Sequence, residues 1–300
     1  LNDIVDILSE ACAWAAIDGS ELVYAHHVDQ AVKEKNYRSN KYDKRLLEEL
    51  ENGTIMIDTD SEVVGQINGL TILDMGDYFF GKPTRITAAT YMGESGIVNI
   101  EREIEMSGTS HSKGVLILNG YIGQKFAQEM PLSLSASLCF EQLYGGIDGD
   151  SASSAELYAI LSSLSGIPIK QGIAVTGSVN QKGEIQPIGG ATQKIEGFFE
   201  LCKMRGLTGE QGVIIPYQNI RNLMLNDEVL EAVKEGRFHI YPVKTIDEGI
   251  EILTGVKAGS KKPDGTYPKS TVNYKVYEKL KKFARTVAGF GSSKKRKREG

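Results

Sequence analysis

The sequence predicts an α+β fold, a domain of mixed sheets and helices preceded by a small helical segment. Three observations predict it. Residues 55–103 are rich in β-branched and aromatic side chains and are split by glycines, the texture of strands and hairpins. From Gly114 onward, apolar runs of strand length alternate with longer stretches of helical spacing. Before residue 55 the apolar spacing is helical throughout. Strands first, then strands mixed with helices, argue for an α+β domain.

The elements follow in order. Ile4, Val5, Ile7, Leu8, Ala11, Cys12, Trp14 and Ala15 place apolar groups at helical spacing over 4–17. A second helix, over 25–35, follows the break at Asp18-Gly19-Ser20. Two short helices cannot build a core alone, so residues 1–40 are expected to be the end of a neighbouring domain. The charged helical stretch over 38–52 ends at Asn52-Gly53, and residues 41–62 read as a linker. Strands are expected at 55–57, 63–67, 70–73, 85–91 and 96–103. Helix 114–127 then leads to strand 132–140, helix 152–164, and strands 172–179 and 184–188. Helix 190–204, strand 212–216, helices around 219–235, strand 238–243 and helix 245–254 complete a domain over residues 63–256. Residues 257–300 form a basic extension with one helix near 272–288, which places Val276, Leu280, Phe283 and Val287 on one side.

The chain has 300 residues, 41% hydrophobic and 24% charged, the composition of a globular protein with a core. No apolar run reaches the length of a membrane span, and residues 1–20 carry acidic but no basic side chains, unlike a secretory leader. Cys12, Cys139 and Cys202 lie far apart, so neither a disulfide framework nor a zinc site is expected, and the reducing cytoplasm is the expected compartment. Charge is uneven. Residues 257–300 hold 14 basic and 3 acidic side chains, a net of +11 against −5 for the whole chain, which leaves −16 on residues 1–256. A nucleic-acid-binding domain carries its positive charge on a folded face, so nucleic acid is not an expected partner of the body. The run Lys294-Lys295-Arg296-Lys297-Arg298 reads first as a solvated terminus, with a polyanion contact as the alternative.

Three motifs are weighed and set aside. Residues 76–82 match the opening of a phosphate loop, but Pro83 stands where Ser or Thr must hold magnesium, and Tyr78, Phe79 and Phe80 crowd the backbone, so a hairpin turn is expected. Asp148-Gly149-Asp150 opens like a calcium loop, yet Ala152, Ser153 and Ala159 fall where ligands and the turn glycine belong. His26, His27, His111 and His239 show no metal spacing, and each is expected to be a surface or satisfied core residue.

The run from Tyr144 to Ser153 is different. Gly145, Gly146 and Gly149 free the backbone, and the small residues after Ser151 open a helix whose N–H groups suit a developing oxyanion. Ser153 and Glu156 also have the spacing of a capping box, which needs no catalysis. A second run carries Thr176-Gly177-Ser178 and then Gly189-Gly190-Ala191-Thr192-Gln193-Lys194. Together with Gly149-Asp150-Ser151-Ala152-Ser153, it resembles the proteolytic domain of Lon proteases (the S16 family), closer to the B type than to the A type. The resemblance runs from about Gly65 to Gly255, and the first 40 residues resemble the end of the family's ATPase module.

The resemblance implies Ser151 as nucleophile and Lys194 as general base. It implies Thr176 as a hydroxyl that assists the lysine, and Asp150 and Asp148 as acidic positions that tune the site. It also implies an ATP-dependent serine endopeptidase acting on unfolded or damaged cytoplasmic proteins as a homohexamer. No cofactor or metal is expected in this chain, since ATP and magnesium belong to the ATPase module. The alternative it carries is a catalytically silent assembly module of a AAA+ ATPase.

Overall fold

The computed structural model describes residues 2–296 apart from 75, 77 and 78, with side chains to residue 290. Helices α1 (Asn2–Ile17), α2 (Ala25–Ser39) and α3 (Lys41–Glu51) lead into β1 (Glu62–Val63), β2 (Gln66–Asp74), β3 (Phe79–Met92) and β4 (Gly96–Asn99). Then come α4 (Ile100–Glu103), α5 (Thr109–Phe126), β5 (Leu134–Phe140), α6 (Ser153–Ser165), β6 (Ile169–Lys170) and β7 (Ile173–Val175). The chain continues through β8 (Ser178–Val179), β9 (Ile185–Gln186), α7 (Ala191–Arg205), β10 (Gly212–Pro216) and a 3-10 turn at Tyr217–Asn222. It ends with α8 (Asp227–Lys234), β11 (His239–Val243), α9 (Ile246–Thr254) and α10 (Val272–Arg296).

Seven strands form one mixed sheet in the order β11-β10-β7-β2-β3-β5-β4. β11, β10, β7 and β2 run parallel, while β3 is antiparallel to both of its neighbours. Alternation along β2 sends Ile67 to one face and Leu70 to the other, and both are buried. On the Ile67 face α5, α6, α9 and α10 build the larger core, with Val115, Tyr158, Ile250 and Val276 in it. On the Leu70 face α7 and α8 bring Phe198, Phe199 and Val229 against Val213 and Ile215 of β10. The fold is α+β, as the sequence predicts.

Two expectations are corrected. Residues 55–57 form no strand. Ile57 packs with Leu50 and Leu201, and the Arg205 guanidinium donates to the Ile57 and Leu50 carbonyls, so a side chain does the work of a sheet partner. The strand expected over 96–103 stops at Asn99, whose side chain accepts the Arg102 N–H and starts α4. The 76–82 segment lies in the β2–β3 hairpin, where Asp74 pairs with Phe79 and Thr71 with Lys82. Its positions 77 and 78 lie outside the described residues. Beyond residue 256, Ala258, Tyr267, Val272, Leu280 and Phe283 are buried in the larger core, so the extension is continuous with the domain as far as the middle of α10. The side chains of the basic run at 294–298 lie outside the described residues.

Candidate active site

The two helix layers converge at the carboxyl end of β7. Ser151 arrives from one layer, two residues ahead of α6. Lys194 arrives from the other, in the first turn of α7, and Thr176 stands between them, just past Val175. The turn carrying Ser151 uses Gly146 and Gly149 at φ of +80° and +85°, where a Cβ is strained. Gly177 N–H donates to the Ser151 carbonyl at 2.7 Å, and Thr176 Oγ1 donates to the same oxygen at 3.3 Å. On the opposite side Gly108 N–H donates to the Ile147 carbonyl at 2.7 Å.

Lys194 is 3% exposed. Its Nζ donates to Ser151 Oγ at 2.8 Å and to Thr176 Oγ1 at 3.1 Å. Burial lowers the ammonium from 10.5 to about 8, against the opposing pull of the Asp150 charge. The carboxylate that opposes it is engaged elsewhere: Ser178 Oγ donates to Asp150 Oδ2 at 2.7 Å. Among the described residues no ion pair joins Asp150 to Lys194. Asp148 turns toward α5, where its Oδ1 accepts the N–H groups of Ser110 and His111 at 3.2 and 3.3 Å. Backbone hydrogen bonds, that of Gly149 foremost, hold its carboxyl below the usual range. So Ser151, Lys194 and Thr176 meet, Asp150 flanks them, and Asp148 anchors the loop to a helix start.

The site opens into a groove of about 480 Å³ lined by Ile72, Phe79, Leu143, Ile147 and Lys82 beside Ser151 and Lys194.

Ser153 and Glu156 do not form a capping box. Ser153 Oγ accepts the Val179 N–H at 3.1 Å, Glu156 is buried, and Ala152 is the N-cap of α6 without a side-chain cap bond. Tertiary partners take both groups away from the helix end. Among the histidines, His239 Nε2 bonds the Gly209 carbonyl and His111 is buried. His26 and His27 come together with Asp18, their ligand atoms within 4.8 Å, which sequence spacing did not show. Here His27 Nδ1 accepts the Tyr24 N–H at 3.0 Å, so Nε2 is the protonated nitrogen and donates to Asp18 Oδ2 at 3.2 Å. That tautomer has no lone pair for a metal at Nε2, and the trio reads as a clip between α1 and α2. Sequence reasoning also missed Ser178, which holds Asp150. Ser178 opens β8 two residues after Thr176, close in sequence to a residue already singled out.

Among the described residues no helix is long and apolar enough to cross a membrane.

Fold and site together define a class of protein, an α+β domain in which a buried lysine meets a serine at the carboxyl end of an interior parallel strand. Residues 145–255 match the Lon protease (S16) C-terminal proteolytic domain, and residues 1–38 match the archaeal LonB AAA+ ATPase LID domain. The chain therefore carries a proteolytic domain of the Lon family preceded by the end of a AAA+ module. It is 38% identical over 249 residues to a putative Lon protease homolog of Escherichia coli, covering 82% of this chain and 42% of that protein. It is 44% identical over 206 residues to a putative Lon protease homolog of Haemophilus influenzae, covering 68% of this chain and 34% of that protein. Similarity to an archaeal Lon protease of Archaeoglobus fulgidus is 28% over 252 residues, 84% of this chain and 38% of that protein. The chain thus spans less than half the length of these relatives.

Proposed function

We propose that this chain is the proteolytic portion of an ATP-dependent serine endopeptidase that works through a Ser151/Lys194 dyad. The observation that carries the reading is the 2.8 Å approach of a lysine amine, buried and depressed to about 8, to a serine hydroxyl on a glycine-shaped turn. A serine is a poor nucleophile until a neighbour takes its proton, and an amine can take it only when neutral. In the neutral form the Nζ lone pair accepts the Ser151 proton while an Nζ–H still donates to Thr176 Oγ1, which fixes the amine's orientation.

Ser151 Oγ then adds to the scissile carbonyl carbon, and the negative charge moves to the carbonyl oxygen. The N–H groups leading into α6 lie at the positive end of a 13-residue helix and favour that charge. The C–N bond breaks as Lys194 returns its proton to the leaving amine, leaving an acyl ester on Ser151. Water repeats the sequence with Lys194 as base and frees the second product. The apolar groove suits an extended, unfolded segment more than a folded surface.

In the full-length protein we place ATP binding and magnesium in the AAA+ module whose LID-like helices open this chain. We infer a homohexameric assembly acting on unfolded or damaged proteins in the cytoplasm. The experiment is cleavage of casein or a fluorogenic peptide by the wild type beside Ser151→Ala. The expected result is loss of all but a few per cent of turnover with an unchanged circular dichroism spectrum. Activity retained in Ser151→Ala overturns the reading and leaves the silent assembly module in its place.

A further inference from the structure

Beneath the turn that carries Ser151 lies a buried acid–imidazole pair that the proposed chemistry does not use. His111, in the first turn of α5, and Glu156, in α6, are each 1% exposed. His111 Nε2 lies 3.7 Å from Glu156 Oε1. Neither that nitrogen nor Glu156 Oε2 has a hydrogen-bond partner among the described residues. The Gly149 backbone faces the ring and raises its pKa against the larger effect of burial, as a carbonyl beside Nδ1–H does. Phe140 packs against the ring at a right-angled 5.4 Å contact and fixes its plane.

We propose that His111 is a positioning residue for the nucleophile: Glu156 faces one side of its ring, and the other side supports the Gly149 carbonyl and so the turn bearing Ser151. The proposal rests on Ser151 being the nucleophile. Its argument is mechanical. Gly146 and Gly149 give the turn its shape but leave its backbone free to move. Three consecutive loop residues are then tied to one segment, Ile147 to Met106 and Gly108, Asp148 to the N–H groups of Ser110 and His111, and Gly149 to the His111 ring. Only the last tie is made by a side chain that itself needs a partner.

The proton count gives the pair a pH dependence. With Nδ1–H turned to Gly149, the Nε2 lone pair faces Glu156 at 3.7 Å, and a proton on either partner turns repulsion into attraction. Burial, reinforced by the Glu101 charge, raises Glu156 to about 8, and burial lowers His111. At neutral pH a carboxylic acid therefore faces a neutral imidazole. The other titratable groups around the pair are Glu101, joined to Glu156 through Asn99 Nδ2 at 3.0 and 3.4 Å, Asp148 on the loop, and Cys139 beside Glu101. Above about pH 8 the carboxylic proton leaves, and the ring loses its support.

The test is peptidase kinetics against pH in four proteins: wild type, His111→Asn, His111→Gln and Glu156→Gln, with Ser151→Ala as control. The asparagine amide occupies the place of Nδ1 and can still donate to Gly149, whereas the glutamine amide reaches toward the place of Nε2. His111→Asn is expected to keep kcat within about threefold, and His111→Gln to lose ~10–100-fold in kcat with KM nearly unchanged, the loss a misplacement of about 1 Å produces. Glu156→Gln, a donor that does not titrate, is expected to remove the alkaline fall of kcat/KM. Equal activity of the two His111 variants, or an alkaline limb that survives in Glu156→Gln, overturns the proposal. If instead Ser151→Ala stays active, the nucleophile assignment is what has failed. Thermal melts of each variant separate misfolding from mispositioning.

Discussion

Gly81 and Gly197 pack backbone on backbone, so closely that a Cβ on Gly197 would overlap the Gly81 carbonyl group. A Cβ on Gly81 would in turn overlap the Gln193 carbonyl and press on Lys194 Cα. The glycine that makes 76–82 look like a phosphate loop is therefore there to let β3 lie flat on α7, and it sets where Lys194 stands.

Gly81→Ala is expected to move α7 outward. Forced overpacking of this kind costs about 1–3 kcal/mol, and a displacement of about 1 Å in Lys194 costs about a hundredfold in turnover. Urea titration and peptide kinetics on the same sample check both. A variant with wild-type stability and turnover would mean that the strand and helix slide apart freely.

Lys194→Arg tests base against charge. Arginine keeps a cation at this position but does not deprotonate at usable pH. It is expected to fold and to be nearly inactive. In Glu156→Gln, where the alkaline fall is expected to be gone, kcat/KM must rise with pH as the amine becomes neutral, with its midpoint near the value of about 8 set by burial. A histidine base would place that limb near pH 6.5. Near-normal turnover in Lys194→Arg removes the lysine from the mechanism.

Much of the fold was legible because the parallel strands are buried on both faces and read as unbroken apolar runs, as at Gly212–Pro216. Residues 55–57 were misread because their apolar texture is that of a strand, while Arg205, which satisfies their backbone, lies about 150 positions away. The juxtaposition of Ser151 and Lys194 is invisible to spacing, since the two residues sit in opposite helix layers. Only the resemblance of the two glycine-rich runs to one family joined them. The roles of Asp148, Ser178 and Glu156 escaped for the same reason, because each is decided by a partner on another element.

The basic extension separates into two parts with different expected behaviour. Leu280 on α10 is 2% exposed in the larger core, so Leu280→Ala is expected to cost about 2–5 kcal/mol. Trimming residues 291–300 is expected to leave peptide turnover unchanged. Denaturant titration of the first and kinetics of the second check the division. A stable Leu280→Ala, or a trimmed chain that loses turnover, would place the boundary elsewhere.

The lysine's depressed pKa also has a thermodynamic side. Unfolded, Lys194 holds its proton to about 10.5; folded, it releases it near 8. Between those values the unfolded chain binds more protons, so stability must rise with pH across that window. Below pH 8 the folded protein carries the full cost of a buried ammonium, at most about 3 kcal/mol at 1.36 kcal/mol per pKa unit. Lys194→Met keeps the aliphatic length and removes the charge. It is expected to be more stable than the wild type by ~1–3 kcal/mol at pH 7, with the difference closing toward pH 10. Asp150 is not stranded by the change, since Ser178 still donates to it. Urea titrations of both proteins at pH 7 and pH 10 measure the two differences. A methionine variant less stable at pH 7 would show that the ammonium is well solvated in the folded protein, and the argument for a neutral lysine base would lose its physical cause.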